Sequence, residues 1–219
     1  MYGGKKHNYF SALPDMWDRT ITVSSCGKTF SSTGWKIGWV YGAAHLIKPV
    51  MLANQWVQFC VSTPTQKAVA EILQRADEPY EGFPTYYKYI NNVYEEKMKG
   101  LVESLRRGNF EPIVPDAGFF VIADTSAHTV PAKFFEQPAP SGAAPTRDWA
   151  FARWLTEDAG ITPIPPSAFY TPERASLAAN LARFAFCKRD ETLVEANKRF
   201  VALAERSKVD ESLVAATTK

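Results

Sequence analysis

One apolar stripe runs through residues 85–107: Ile90, Tyr94, Met98, Leu101 and Leu105 recur at spacings of 4, 4, 3 and 4. That is the period of one helix face. Gly108 and Asn109 follow it, the residue types that accept the left-handed turn after a helix. A helix of this length followed by a change of pattern reads as a strut between two parts of a molecule. Residues 1–84 are therefore expected to form one part and 108–206 a second, joined by 85–107, with 207–219 a polar, flexible tail. A chain of 219 residues is long enough to bury a core on that plan.

Before the strut, the β-branched residues 20–23 read as a short buried strand. Residues 35–42, WKIGWVYG, read as a second, and the pair fits a hairpin-like element. Leu46, Val50, Ala53 and Val57 mark a helix that starts or bends at Pro49. The run STPTQ, from Ser62, opens another helix, with Thr63 as its cap and Pro64 in its first turn. After the strut, residues 111–114, 118–123 and 181–187 read as strands. Residues 149–158 read as a helix, and Leu193, Ala196, Phe200 and Leu203 mark a last one. Residues 124–145, rich in Pro, Ala, Ser and Gly, read as a mobile loop insertion. Helices and short strands mixed along the chain give an α/β class.

Composition removes several functions. A formal charge of +2 is too small to argue for nucleic acid or an anionic membrane surface. No apolar run approaches the ~18–20 residues of a membrane span. MYGGKKHNYF has no apolar stretch after its basic pair, so it does not read as a secretory signal. Cys26, Cys60 and Cys187 have no metal-ligand spacing, and a reducing, cytoplasmic setting is the simplest expectation, with a mitochondrial one the alternative.

The chemistry concentrates in SSCGKTFSSTGWKIGW, from Ser24. Its GKT invites comparison with a phosphate-binding loop, which needs G-x-x-x-x-G-K-[ST]. The first glycine of that pattern would fall on Thr22, inside the β-branched run, so the cradle of backbone N–H groups is missing. Lys28 and Lys36 remain, with Ser25, Ser31, Ser32 and Thr33 around them. An amine nucleophile beside a cation and hydroxyls suits a phosphorylated aldehyde such as pyridoxal phosphate. The ordinary alternative is a solvated loop that happens to hold two lysines.

The wording of the stretch goes further. S-x-x-K-T-F-S-x-T-G-W-K-x-G-W resembles the cofactor-lysine segment of the fold-type-I, class I aminotransferases, and most of all their kynurenine/glutamine transaminase branch. LPDMWDRTITV, from Leu13, resembles the family's LPGMWERTITI. STPTQ resembles the turn before a large-domain helix, and DAGFFV, from Asp116, loosely resembles a small-domain strand. IPPSAFY, from Ile164, is similar to IPxSxFY, and ARFAFCK, from Ala182, to [IL]RFxFxK. The resemblance runs in order from about residue 2 to about residue 203.

It implies the C-terminal half of such an enzyme: the end of a large mixed-sheet cofactor domain, then an α+β small domain. Lys28 matches the lysine that holds pyridoxal phosphate as a Schiff base. Ser25 and Lys36 match groups that hold the cofactor phosphate, and Arg183 matches the arginine that binds the substrate α-carboxylate. Phe59 corresponds to an aromatic reaching a neighbouring subunit. The implied activity is transfer of an amino group from an amino acid to a 2-oxo acid by a homodimer. The family's ring-binding aspartate, asparagine and tyrosine belong upstream of this chain, so Met1 is expected to be internal to a longer protein and the chain alone feebly active. A cysteine-S-conjugate β-lyase or a methionine/glutamine transaminase on the same scaffold is the nearest alternative. A non-catalytic, partner-binding fragment is the alternative of another class.

Blander readings stand beside these. An arginine on a strand is ordinarily a surface ion-pair partner. Trp35 and Trp39 read as core, Cys26 as a small packed residue, and His7, His45 and His128 as surface residues.

Overall fold

A computed structural model describes residues 1–136, 138 and 145–217, with side chains up to residue 206. Residues 137 and 139–144 of the expected loop insertion lie outside the described residues. The chain divides into two compact units, Lys5–Ile90 and Met1–Gly4 with Asn91–Lys219. Each is described by itself.

In the unit Lys5–Ile90, β1 (Ile21–Ser25) runs into the one-turn helix α1 (Cys26–Thr29) and returns, through a 3₁₀ turn at Thr33–Trp35, as β2 (Gly38–Gly42). The strands pair antiparallel, Ile21 opposite Gly42 and Ser25 opposite Gly38, so the hairpin-like expectation holds. The buried strand does not: Val23 is 74% exposed. Ile47 reaches the Gly42 end of the face that carries Val23, where a Cβ on Gly42 would stand 3.7 Å from Ile47 Cδ1, and leaves Val23 uncovered. The buried cluster is Cys26, Ile37 and Val69, with Phe30, Trp39, Val61 and Leu73 against them. Cys26 is thus packed, as expected, whereas Trp35 is exposed.

Helices α2 (Ala44–Val57) and α3 (Thr63–Arg75) follow. Pro49 lies inside α2, where its missing N–H weakens the ladder one turn in. No α2 residue is buried; Met51, Leu52, Trp56 and Val57 all face solvent. At α3 the cap position is Ser62 rather than Thr63. Pro64 occupies the first turn, where the absent N–H costs nothing.

The long helix is present as α4 (Tyr86–Arg107), its residues to Ile90 in one unit and from Asn91 in the other. Of the predicted stripe, Met98, Leu101 and Leu105 are buried, with Val102 beside them, while Ile90 and Tyr94 are half-buried. Asn109, at φ +64°, supplies the left-handed residue after it.

The second unit holds a three-stranded antiparallel sheet in the order β3 (Glu111–Ile113), β4 (Phe120–Asp124), β5 (Leu181–Ala185). Pro112 lies in β3, an edge strand, where a missing N–H is tolerated. α5 (Arg147–Ala159) and α6 (Asp190–Thr217) complete the unit. α6 carries helical backbone through most of 207–219, where the sequence suggests a tail; residues 218–219 lie outside the described residues. Gly160, at φ +68°, closes α5, and its carbonyl accepts from Arg199 Nη1 at 2.8 Å. Phe110, Val121, Phe151, Leu155, Phe184, Phe186 and Phe200 share one core with the α4 stripe. Tyr2 joins it, its N–H donating to Asp116 O at 2.8 Å and its hydroxyl to Gly118 O.

Candidate functional site

The structure brings Ser25, Lys28 and Lys36 together in one pinched loop of the unit Lys5–Ile90 and puts Arg183 in the other unit. The loop closes where Cys26 N–H donates to Ile37 O at 3.1 Å and the Cys26 thiol donates to the same oxygen at 3.3 Å. Both residues are buried, so the neck is dry and the excursion from 27 to 36 is held at its base. Inside it, Ser32 Oγ donates to Cys26 O at 3.0 Å and Phe30 N–H to the same oxygen at 2.9 Å. Gly27 lets α1 lie against the 3₁₀ turn: a Cβ there would stand 3.4 Å from Thr33 Cα.

The GKT forms the body of α1. Ser25 sits at the N-cap position, half-buried, and Lys28 is in the last turn, exposed. Lys36 is exposed as well. Lys36 (φ +55°) and Ser31 (φ +53°) both hold left-handed backbone. For non-glycine residues this costs on the order of 1 kcal/mol or more each and tends to collect at functional loops.

The donor set is cationic and hydroxylated. Residues 19–70 contain no Asp or Glu, but do contain Arg19, Lys28, Lys36, Lys48 and Lys67. A dianion is drawn to such a segment, and hydroxyls of Ser25 and its neighbours can donate to it. An amine, a second ammonium and hydroxyls on a fixed loop fit a phosphorylated aldehyde.

Arg183 lies on β5, opposite Ile122 of β4. On its outer side its N–H donates to Ile164 O at 3.0 Å and its carbonyl accepts from Ile164 N–H at 2.9 Å. Its guanidinium carbon stands 4.1 Å from the Phe120 ring centre and 4.5 Å from that of Phe169. Phe120 is two residues from Ile122 along β4, so it shares the face of Arg183 diagonally across the ladder. Arg183 Nε is buried and has no hydrogen-bond partner among the described residues. The ordinary expectation of a surface ion pair is not what the fold builds. A planar cation flanked by two rings keeps its faces covered and leaves its edge for a planar anion.

Sequence reading missed these two rings. The signal for Phe120 is its alternation with Ile122 once the register is known; Phe169 sits in the IPPSAFY run but nothing in the spelling points it at an arginine. It also missed a polar knot at the start of α5. Arg147 donates to Thr125 Oγ1 (2.8 Å), Thr125 O (2.9 Å) and His128 O (2.8 Å). His128, expected at the surface, is 4% exposed. Its ring lies 4.3 Å from that of Phe110, and burial pushes its pKa down.

Comparison with known proteins gives three concordant findings. A profile of the family Aminotransferase class I and II matches residues 1–196. The kynurenine–oxoglutarate transaminase of Dictyostelium discoideum is 38% identical over 203 residues, covering 92% of this chain and 46% of that protein. Kynurenine–oxoglutarate transaminase 3 of Rattus norvegicus is 38% identical over 204 residues, 91% of this chain and 43% of that one. Among solved structures, Bna3p of Saccharomyces cerevisiae superposes with a TM-score of 0.78 at 31% identity, over 88% of this chain and 44% of its own. The chain thus spans under half the length of the curated relatives it matches.

Proposed function

The chain belongs to the class I and II aminotransferase family, a family dependent on pyridoxal phosphate, and from that premise we propose that it is the lysine- and arginine-bearing half of an amino-acid:2-oxo-acid transaminase. Kynurenine is the amino donor favoured by the names of the relatives. One observation carries the reading. The Arg183 guanidinium is flanked by Phe120 and Phe169, and its buried Nε lacks a partner among the described residues. A buried donor left unpaired costs about 1–3 kcal/mol, and a carboxylate ligand removes that cost.

Bound pyridoxal phosphate supplies an aldehyde for the substrate amine and a conjugated ring that accepts the electron pair of the breaking Cα–H bond. Lys28 Nζ would hold the aldehyde before substrate arrives. Once free, that amine would serve as the base that takes the substrate Cα proton and as the acid that carries it. Ser25 Oγ and Lys36 Nζ hold the phosphate, one as a neutral donor and one as a cation. Arg183 takes the α-carboxylate and fixes the orientation of the Cα–H bond. Phe120 and Phe169 restrict the guanidinium to one plane. The fit to the cofactor is partial: these residues supply amine and phosphate partners, while the family's partner for the ring nitrogen has no match here. The chain by itself is therefore expected to turn over feebly.

A homodimer is part of the proposal, supported by the exposed apolar stripe of α2 that continues into Phe59, which is 81% exposed.

The test is covalent mapping. The chain is mixed with pyridoxal phosphate, reduced with borohydride and digested. The label is expected on the peptide containing Lys28 and absent from the Lys28→Ala variant. Equal labelling of other lysines, unchanged by that substitution, overturns the assignment.

A further inference from the structure

Phe169 covers the Arg183 guanidinium although it is 64% exposed. Core packing does not hold such a ring, so its place must come from its backbone. That backbone is a 3₁₀ turn, Pro166–Phe169, anchored at two points. One is the Ile164 bridge to Arg183 itself. The other is a buried carboxylate: Asp148, in the first turn of α5 and 1% exposed, accepts from Ser167 N–H at 2.8 Å through Oδ2. Its Oδ1 accepts from the Thr146 hydroxyl. A hydroxyl has one proton, so at the 3.1 Å contact between Thr146 Oγ1 and Ser167 Oγ it is Ser167 that donates. Every bond in this small ring then has one donor and one acceptor, and both carboxylate oxygens are used.

We propose that Asp148 is a positioning residue for the carboxylate anchor: it fixes the turn that places Phe169 on Arg183. This rests on the reading of Arg183 as that anchor. Neither Asp148 nor Thr146 touches the guanidinium in any described contact, so the effect runs through the backbone of Ser167. An amide at 148 has one acceptor atom where the carboxylate has two. Asp148→Asn can keep the Ser167 N–H bond only by turning its NH₂ to Thr146 Oγ1, which reverses the Thr146–Ser167 hydroxyl bond and replaces two bonds to a carboxylate with weaker bonds to an amide, so the turn is held less firmly.

The Nε–H resonance of Arg183 in the full 219-residue chain reports on this directly, identified by its loss in Arg183→Lys. The probe is 3-phenylpropionate, with 3-phenylpropionamide as neutral control. In the unsubstituted chain the resonance is expected to move with the carboxylate and not with the amide. In Asp148→Asn it starts from a different position and the apparent Kd rises about five- to tenfold, the order expected when a charge-assisted contact loses its geometry. Thr146→Val, which keeps the Ser167 bond, moves both readouts in the same direction by less, and decides the matter if Asp148→Asn does not fold. Thr125→Val cuts the neighbouring Arg147 knot; it is expected to lower the thermal midpoint and leave Kd unchanged. Positioning by Asp148 is overturned if Asp148→Asn and Thr146→Val leave resonance and Kd as they were, or if Thr125→Val weakens binding equally. If Arg183→Lys binds the probe as the unsubstituted chain does, the carboxylate assignment falls, and the positioning role with it.

Discussion

The two units bury themselves to different degrees. In the larger unit the long helix α4, two further helices and a three-stranded sheet close around Phe110, Phe151, Phe184, Phe186 and Phe200. In the unit Lys5–Ile90 the buried cluster is Cys26, Ile37 and Val69, while Trp56 is 87% exposed and Val23, Met51 and Phe59 also face solvent. Yet both units hold candidate site residues with equal definition. The Lys28 loop is set by a dry neck at Cys26 and Ile37, the Arg183 edge by two rings and a strand bridge. Local hydrogen bonds can fix a functional loop where little core lies under it; stability and site geometry are separate properties of the same chain.

The sharpest way to break this contrast is to cut the larger core. Phe151→Ala is expected to cost about 3–5 kcal/mol, seen as a fall of the urea midpoint for the larger unit. Val69→Ala should cost distinctly less, for fewer methylenes over a thinner core. Equal losses would mean that the two units unfold as one. Gly108→Ala comes next. A Cβ there would stand 2.9 Å from Phe200 Cβ and 3.1 Å from the Phe110 ring, so overpacking should cost about 1–3 kcal/mol; a neutral result would show the core to be looser than its contacts.

A smaller effect separates the units by pH. The folded pKa of His128 lies below its ordinary value, chiefly through burial. The unfolded chain therefore takes up the proton first as pH falls, and the stability present above about pH 6.5 is lost as pH drops through the folded pKa. For one proton the slope cannot exceed ~1.4 kcal/mol per pH unit. It should disappear in His128→Phe and leave the unit Lys5–Ile90 unaffected, as amide exchange resolved by segment would show. The smallest effect is expected for Trp56→Ser on α2: a change of stability within ~0.5 kcal/mol, with reduced self-association in sedimentation. A large loss of stability there would mean that α2 is packed after all.

Legibility follows the same line. The α4 stripe, the hairpin and the strands β3, β4 and β5 were readable because periodicity is a local property. So was the loop carrying Ser25, Lys28 and Lys36, whose residues are neighbours in sequence. Val23 misled because an apolar pattern states what a segment can bury, and burial needs a partner surface. His128 misled in the other direction: nothing around it in sequence shows that Phe110 and Phe151 will enclose it.

By itself, then, the order of residues settled most of the secondary structure and the family, and singled out Lys28 as the candidate amine, since each depends on groups a few positions apart. Folding alone decided which rings flank Arg183 and which carboxylate pins the turn beneath them. Those partners are drawn from positions 120, 148, 167 and 169, and only strand register and helix packing can bring such distant positions within hydrogen-bond reach.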